Sequence, residues 1–207
     1  MLEASQIECT RGSRRLFRNL SFRLEMQRAL RVRGENGSGK TSLLRILAGL
    51  SSTEAGDIAW NGRPIRALGE DYRREILFLG HGNGLKDDLT PVENLRHALA
   101  LAGIAVDAGA VAQELVQQGL DAIADLPVQL LSQGQKRRVA LARLAFSAVK
   151  RLWILDEPFA ALDPAAVRRL ADTIAAHVGR GGMVVITTHQ EVDLPGVGMG
   201  VLELGVS

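Results

Sequence analysis

The segment Gly34-Glu-Asn-Gly-Ser-Gly-Lys40-Thr41 constrains this chain more than any other. It fits the pattern G-x-x-x-x-G-K-[ST]. Glycines let backbone N–H groups curl around phosphate oxygens without Cβ clashes. The strand-like run Ala29-Leu-Arg-Val-Arg precedes the loop, and Thr41-Ser-Leu-Leu-Arg-Ile-Leu-Ala-Gly follows it with helical apolar spacing and a glycine stop. A strand therefore feeds a loop that opens a helix, and the positive end of that helix faces the same anion. Gly34, Glu35, Asn36, Gly37, Ser38, Gly39, Lys40, Thr41 and Ser42 are the candidate nucleotide-binding residues. Lys40 is expected to reach the β- and γ-phosphates, and Thr41 to offer its hydroxyl to Mg²⁺. ATP and Mg²⁺ are thus the expected cofactors.

The rest of the chain supplies a scaffold for such a loop. Ile7–Cys9 and Leu20–Leu24 read as short strands with a turn at Arg11-Gly-Ser, and Gly56–Trp60 as a hairpin strand closed by Asn61-Gly62. Ile76-Leu-Phe-Leu, Leu152-Trp-Ile-Leu and Met183-Val-Val-Ile-Thr-Thr are buried-strand runs, and Ala165 to Val178 is amphipathic. Between Thr90 and Lys150 the pattern is helical, broken near Gly103 and Pro127. Strands alternating with helices imply an α/β fold with a mostly parallel core sheet. An N-terminal antiparallel β lobe and an α-helical lobe at about 88–150 are expected to attach to it, all within one domain spanning 1–207.

Two further segments carry chemistry. Leu152-Trp-Ile-Leu ends in Asp156-Glu157, and adjacent carboxylates on a buried strand need a cause. Beside a phosphate loop the cause is available: Asp156 can hold Mg²⁺, and Glu157 can polarise an attacking water. Leu131-Ser132-Gln133-Gly134-Gln135 opens an Ala/Leu-rich helix. It reads either as an ordinary serine cap or as a second anion site built from Ser132 and the Gly134 backbone.

Composition narrows the class. No apolar run approaches the roughly 20 residues of a membrane-spanning helix, and the N-terminus lacks a signal-peptide pattern, so a cytosolic chain is expected. The sole cysteine, Cys9, excludes an intrachain disulfide and reads as a small core or edge residue. Net charge is only +2, yet Arg11, Arg14, Arg15, Arg18, Arg23, Arg28, Arg31 and Arg33 crowd the first part of the chain. A solvated antiparallel sheet explains this run better than a nucleic-acid surface, because aromatic residues are sparse at 4%.

In their order along the chain these motifs resemble the ABC-transporter ATPase family, whose fold is that of a P-loop NTPase. Leu131–Gln135 is similar to the family's LSGGQ signature, with Gln133 where glycine is usual. Ala161-Leu-Asp163 resembles its D-loop, and His189 after a strand its switch histidine. The resemblance implies Glu157, His189 and Lys40 as catalytic residues in ATP hydrolysis. It implies a head-to-tail homodimer, in which Ser132, Gly134 and Gln135 of one subunit cap ATP bound to the other. It also implies integral membrane transporter subunits as partners.

Two positions depart from the family. Where glutamine usually touches Mg²⁺ this chain has His81. Mg²⁺ prefers hard oxygen ligands, so His81 is expected to act through a metal-bound water, beside Thr41 and Asp156, the latter holding the ion directly or through water. Where an aromatic residue usually stacks on adenine the chain has Arg11, with Phe17 as the nearby alternative. Leu79-Gly-His81, Gly84-Leu-Lys86, Leu89-Thr90 and Glu93-Asn-Leu95 further resemble the ATP-binding subunits of the bacterial haem exporter of cytochrome c maturation. That resemblance implies haem export or haem-chaperone release, and peripheral attachment to the cytoplasmic face of the inner membrane. His97 reads as a surface or contact residue rather than an axial ligand, so haem is expected to be handled by partners. Another ABC exporter, or a soluble non-transport ABC ATPase, are the alternatives; no role in binding nucleic acid is expected.

Overall fold

A computed structural model describes residues 1–205. The N-terminal lobe is antiparallel. Strands β1 (Leu2–Arg11) and β2 (Arg14–Leu24) form a long hairpin. After β3 (Arg28–Arg33) and α1 (Lys40–Leu47), β4 (Ala55–Trp60) joins β1 from the other side. The two-residue β5 (Arg63–Pro64) completes the order β2-β1-β4-β5. Both Asn61 and Gly62 have positive φ, 50° and 76°, as a type I′ hairpin turn demands. The hairpin strands are longer than the apolar segments Ile7–Cys9 and Leu20–Leu24 suggest. One face of each is solvated, so Glu3 and Arg23 pair across it without breaking the strands.

Short helices α2 (Ile65–Leu68) and α3 (Glu70–Glu75) lead into β6 (Ile76–Leu79). The helical lobe follows as α4 (Pro91–Leu101), α5 (Ala108–Gln117) and α6 (Gln133–Ala142), with single 3₁₀ turns between and after them. Then come β7 (Leu152–Asp156), α7 (Pro164–Gly179), β8 (Met183–Thr187) and β9 (Gly198–Glu203). The core sheet is parallel throughout, in the order β6-β7-β8-β3-β9. Every residue of β7 and β8 is buried, as expected of strands covered on both faces.

Three apolar clusters hold these layers. One packs α1 between the antiparallel sheet and one face of the parallel sheet, through Leu43, Leu44, Ile46 and Leu47. A second covers the opposite face with α6 and α7. A third, around Leu95, Leu115 and Val139, belongs to the helical lobe. At the lobe's entrance Thr90 and Glu93 form a capping box with Pro91 at the first helical turn. Asn94 is buried and spends its amide on Lys86 O, Leu89 O and Thr90 O while accepting from Lys86 N–H. The Gly84–Leu95 motif is therefore a knot that shapes the loop leading into α4.

The arginine run divides. Arg11, Arg14, Arg15, Arg18, Arg23 and Arg28 are exposed, as a solvated surface requires. Arg31 is not: it lies in the parallel sheet at 6% exposure.

Candidate functional site

The carboxyl ends of β3, β6, β7 and β8 open into a cleft of about 670 Å³. Open parallel sheets place ligands beyond this edge. Arg11, Arg14 and Leu16 form one wall. Asn36, Gly37, Gly39, Lys40, Thr41 and Ser42 form the floor, and His81, Asp156, Glu157 and His189 complete it.

The floor is built by α1. Gly39 stands at its N-cap with φ 103°, gives no side-chain cap, and the first turn holds no acid. Its leading N–H groups are thus left to an anion. A Cβ at Gly39 would lie 3.2 Å from the Phe17 ring. Phe17, the alternative to Arg11, is buried beneath the loop and therefore cannot stack on a base. Lys40 Nζ donates to Gly34 O at 2.7 Å and Glu35 O at 3.0 Å, which holds the ammonium at the loop. Gly34, Glu35 and Ser38 shape the loop from behind, outside the cleft wall.

The acidic wall comes from β7 and β8 in register, with Asp156 opposite Thr187. Asp156 accepts from Thr41 Oγ1 at 2.8 Å and from Thr187 Oγ1 at 2.6 Å, so both carboxylate oxygens are engaged. Glu157 sits in the left-handed region at φ 47°. Its N–H donates to Thr187 Oγ1 at 2.9 Å. Its Oε2 accepts from the His189 N–H at 3.2 Å. Its Oε1 is buried, lies 3.4 Å from His189 Nε2, and accepts no hydrogen bond among the described residues. That buried oxygen therefore keeps unused hydrogen-bonding capacity toward the cleft.

His189 is held from behind by Arg31. That guanidinium donates to Thr188 O and Gln190 O, on either side of the histidine, and pairs with Glu191 at 3.3 Å. No local motif marks Arg31 or Thr187 as a site residue. A charged residue inside an apolar strand, Ala-Leu-Arg-Val, was the signal for Arg31.

Ser132, Gly134 and Gln135 do not line the cleft. Ser132 and Gln135 form a capping box on α6, at 3.2 Å and 2.8 Å. Gly134 is required by close approach: a Cβ there would lie 2.7 Å from Ala161 O. Asp163 likewise caps its own helix, accepting from Ala166 N–H at 2.9 Å, and this bond depresses its carboxyl pKa. His97 is half-buried on α4, and His177 is buried, stacked on Trp153 at 3.8 Å. Among the described residues no three His, Cys, Asp or Glu side chains cluster to hold a metal, and no helix is long and apolar enough to cross a membrane.

The family model described as ABC transporter matches residues 17–160. The chain is 52% identical to the cytochrome c biogenesis ATP-binding export protein CcmA of Dechloromonas aromatica, over 99% of this chain and all of that one. It is 54% identical to the protein of the same name from Nitrosomonas europaea, covering 93% and 90% of the two chains. Its fold matches that of a dimeric ATP-binding cassette solved in a post-hydrolysis state with ADP and Pi. There the TM-score is 0.83 at 22% identity, over 99% of this chain and 94% of that chain.

Proposed function

Since the chain belongs to the ABC transporter family, we propose that it is the ATP-hydrolysing subunit powering haem export or haem-chaperone release in cytochrome c biogenesis. The observation that carries the hydrolytic part is the Glu157–His189 pair facing Lys40 and Thr41 across one cleft. Lys40 and the leading N–H groups of α1 bind the phosphates. Glu157 Oε1 accepts a proton from the attacking water, and His189 fixes the carboxylate and faces the γ-phosphate.

The donor set suits Mg²⁺: Thr41 and Asp156 bring two hard oxygens 2.8 Å apart, and this ion completes its shell with phosphate and water. Mg²⁺ would neutralise charge on the phosphate oxygens. His81 faces the same cleft and is exposed, in keeping with contact through a water. Arg11 and Arg14 offer guanidinium planes to the base in place of an aromatic ring.

The chain acts as a head-to-tail homodimer on membrane subunits. Support comes from the signature residues, which stand outside this chain's own cleft, and from the dimeric state of the structural neighbour. Haem is carried by the partners: His81 and His189 face the nucleotide cleft, His177 is buried against Trp153, and His97 stands alone on α4. One domain, 1–207, does this work from the cytoplasmic face of the inner membrane. The test is a pull-down of the tagged chain from detergent-solubilised membranes, with Mg·ATP hydrolysis assayed on the product. Recovery of haem-handling membrane subunits, and loss of hydrolysis with Glu157→Gln, is the expected result. Recovery of unrelated permease subunits would overturn the haem assignment and leave the ATPase standing.

A further inference from the structure

Arg137 lies in α6, four residues after Gln133, and is only 4% exposed. A buried charge is tolerated when its donors are met. Here all five N–H donors have acceptors. Nε donates to Pro158 O at 3.3 Å. One terminal nitrogen donates to Asp156 O at 2.9 Å and Glu157 O at 2.8 Å. The other donates to Asn83 Oδ1 at 3.1 Å and, more weakly, to Gly80 O at 3.4 Å. The planar fork of one arginine thus joins the loop after β7, which carries Glu157, to the loop after β6, which carries His81. A lysine, with a compact ammonium, cannot span both.

The surroundings explain why such a clamp is needed. Glu157 holds a left-handed backbone that a side chain of its size adopts only under restraint. Thr187 fixes its N–H, and Arg137 fixes its carbonyl. On the other side, β6 is an edge strand, so its outward carbonyls have no strand partner. Arg143 takes Phe78 O at 2.7 Å, and Arg137 takes Gly80 O two residues on. Neither arginine lines the nucleotide cleft.

We infer that Arg137 is a positioning residue for hydrolysis. It acts through the backbone, holding Glu157 and the His81 loop in fixed relation and joining both to the helix that begins at Ser132. This rests on the reading of Glu157 as the group that acts on water. A shift of the catalytic carboxylate by a fraction of an ångström to 1 Å lowers turnover while leaving phosphate binding untouched.

The test uses the complete membrane complex, measuring kcat, KM, equilibrium ATP affinity and thermal midpoint together. Arg137→Lys should lower kcat by about 10- to 100-fold with ATP affinity within about twofold. Asn83→Ala removes the shorter of the two ties to the His81 loop and leaves those to the Glu157 loop intact, and should lower kcat about threefold with KM unchanged. It also decides the matter if Arg137→Lys fails to assemble. Unchanged kcat in the variants, or a loss that tracks ATP affinity and thermal midpoint, would overturn the inference. Glu157→Gln run alongside separates the two failures: hydrolysis that survives it removes the catalytic reading, and the role of Arg137 with it.

Discussion

The cleft and the N-terminus of α6 are both polar ends of helices, and they are finished differently. In the cleft, α1 starts at a glycine that caps nothing, and polar side chains from four strand ends converge on the same space. At α6 the serine and glutamine cap each other. The first is complete in everything but ligand contacts. The second is stable as a helix start and meets a phosphate only if another molecule brings one. The head-to-tail dimer proposed above would use both, in two composite sites.

Breaking the first region should have the largest effect. Lys40→Ala removes a charged donor to phosphate and should weaken ATP binding to the isolated chain by about 10- to 100-fold, read by equilibrium titration. Ser132→Ala in the same assay should leave affinity unchanged; an equal loss would erase the distinction between the regions. Thr187→Val keeps the shape but removes the hydroxyl shared by Asp156 and Glu157. Turnover of the complex should fall about tenfold, with ATP affinity little changed. Arg11→Ala, and separately Arg14→Ala, should weaken ATP binding several-fold, on the order of 1 kcal/mol. Unchanged affinity would remove that arginine from the base wall.

Ser132→Ala has its own smaller signature. Loss of the α6 cap should cost about 1 kcal/mol of stability, seen as a lower thermal midpoint without any change in nucleotide binding.

The smallest expected effect concerns a histidine outside both regions. Burial, the leading cause, pushes the His177 pKa down to about 4. Its folded value lies below the unfolded one, near 6.5, so the unfolded chain binds the extra proton between them. Stability should be full above about pH 6.5 and decline as pH falls toward about 4. His177→Phe, which preserves a ring against Trp153, should flatten that slope in acid denaturation followed by fluorescence.

How much of this was readable in advance follows from distance along the chain. The phosphate loop, Asp156-Glu157 and the strand-end His189 announce themselves because their chemistry is local: a pattern of neighbours. Arg31, Thr187 and Arg137 do not. Thr187 matters because β8 lies beside β7, and Arg31 because β3 lies beside β8. Arg31 was also disguised by its company, since seven other arginines around it suggested a wet surface. Phe17 shows the reverse error. Nearness in sequence to Arg11 made it a candidate for the base, but strand alternation turns it inward under Gly39. The antiparallel and parallel sheets were readable as such, whereas the full length of β1 and β2 was not, because their solvent faces carry charge.

The register between β7 and β8 has a consequence for how the chain tolerates changes in length. Asp156 faces Thr187, and His189 follows two residues later. Deleting one residue within Met183–Thr187 would draw His189 back by about 3.3 Å and turn alternate side chains of the strand to the opposite face. The same deletion or an insertion at the exposed turn near Gly196, beyond the Arg31 anchor on Gln190 and Glu191, would be absorbed before β9 begins. A library of single-residue insertions should therefore be silent at one end of this fourteen-residue stretch, 183–196, and lethal to hydrolysis at the other.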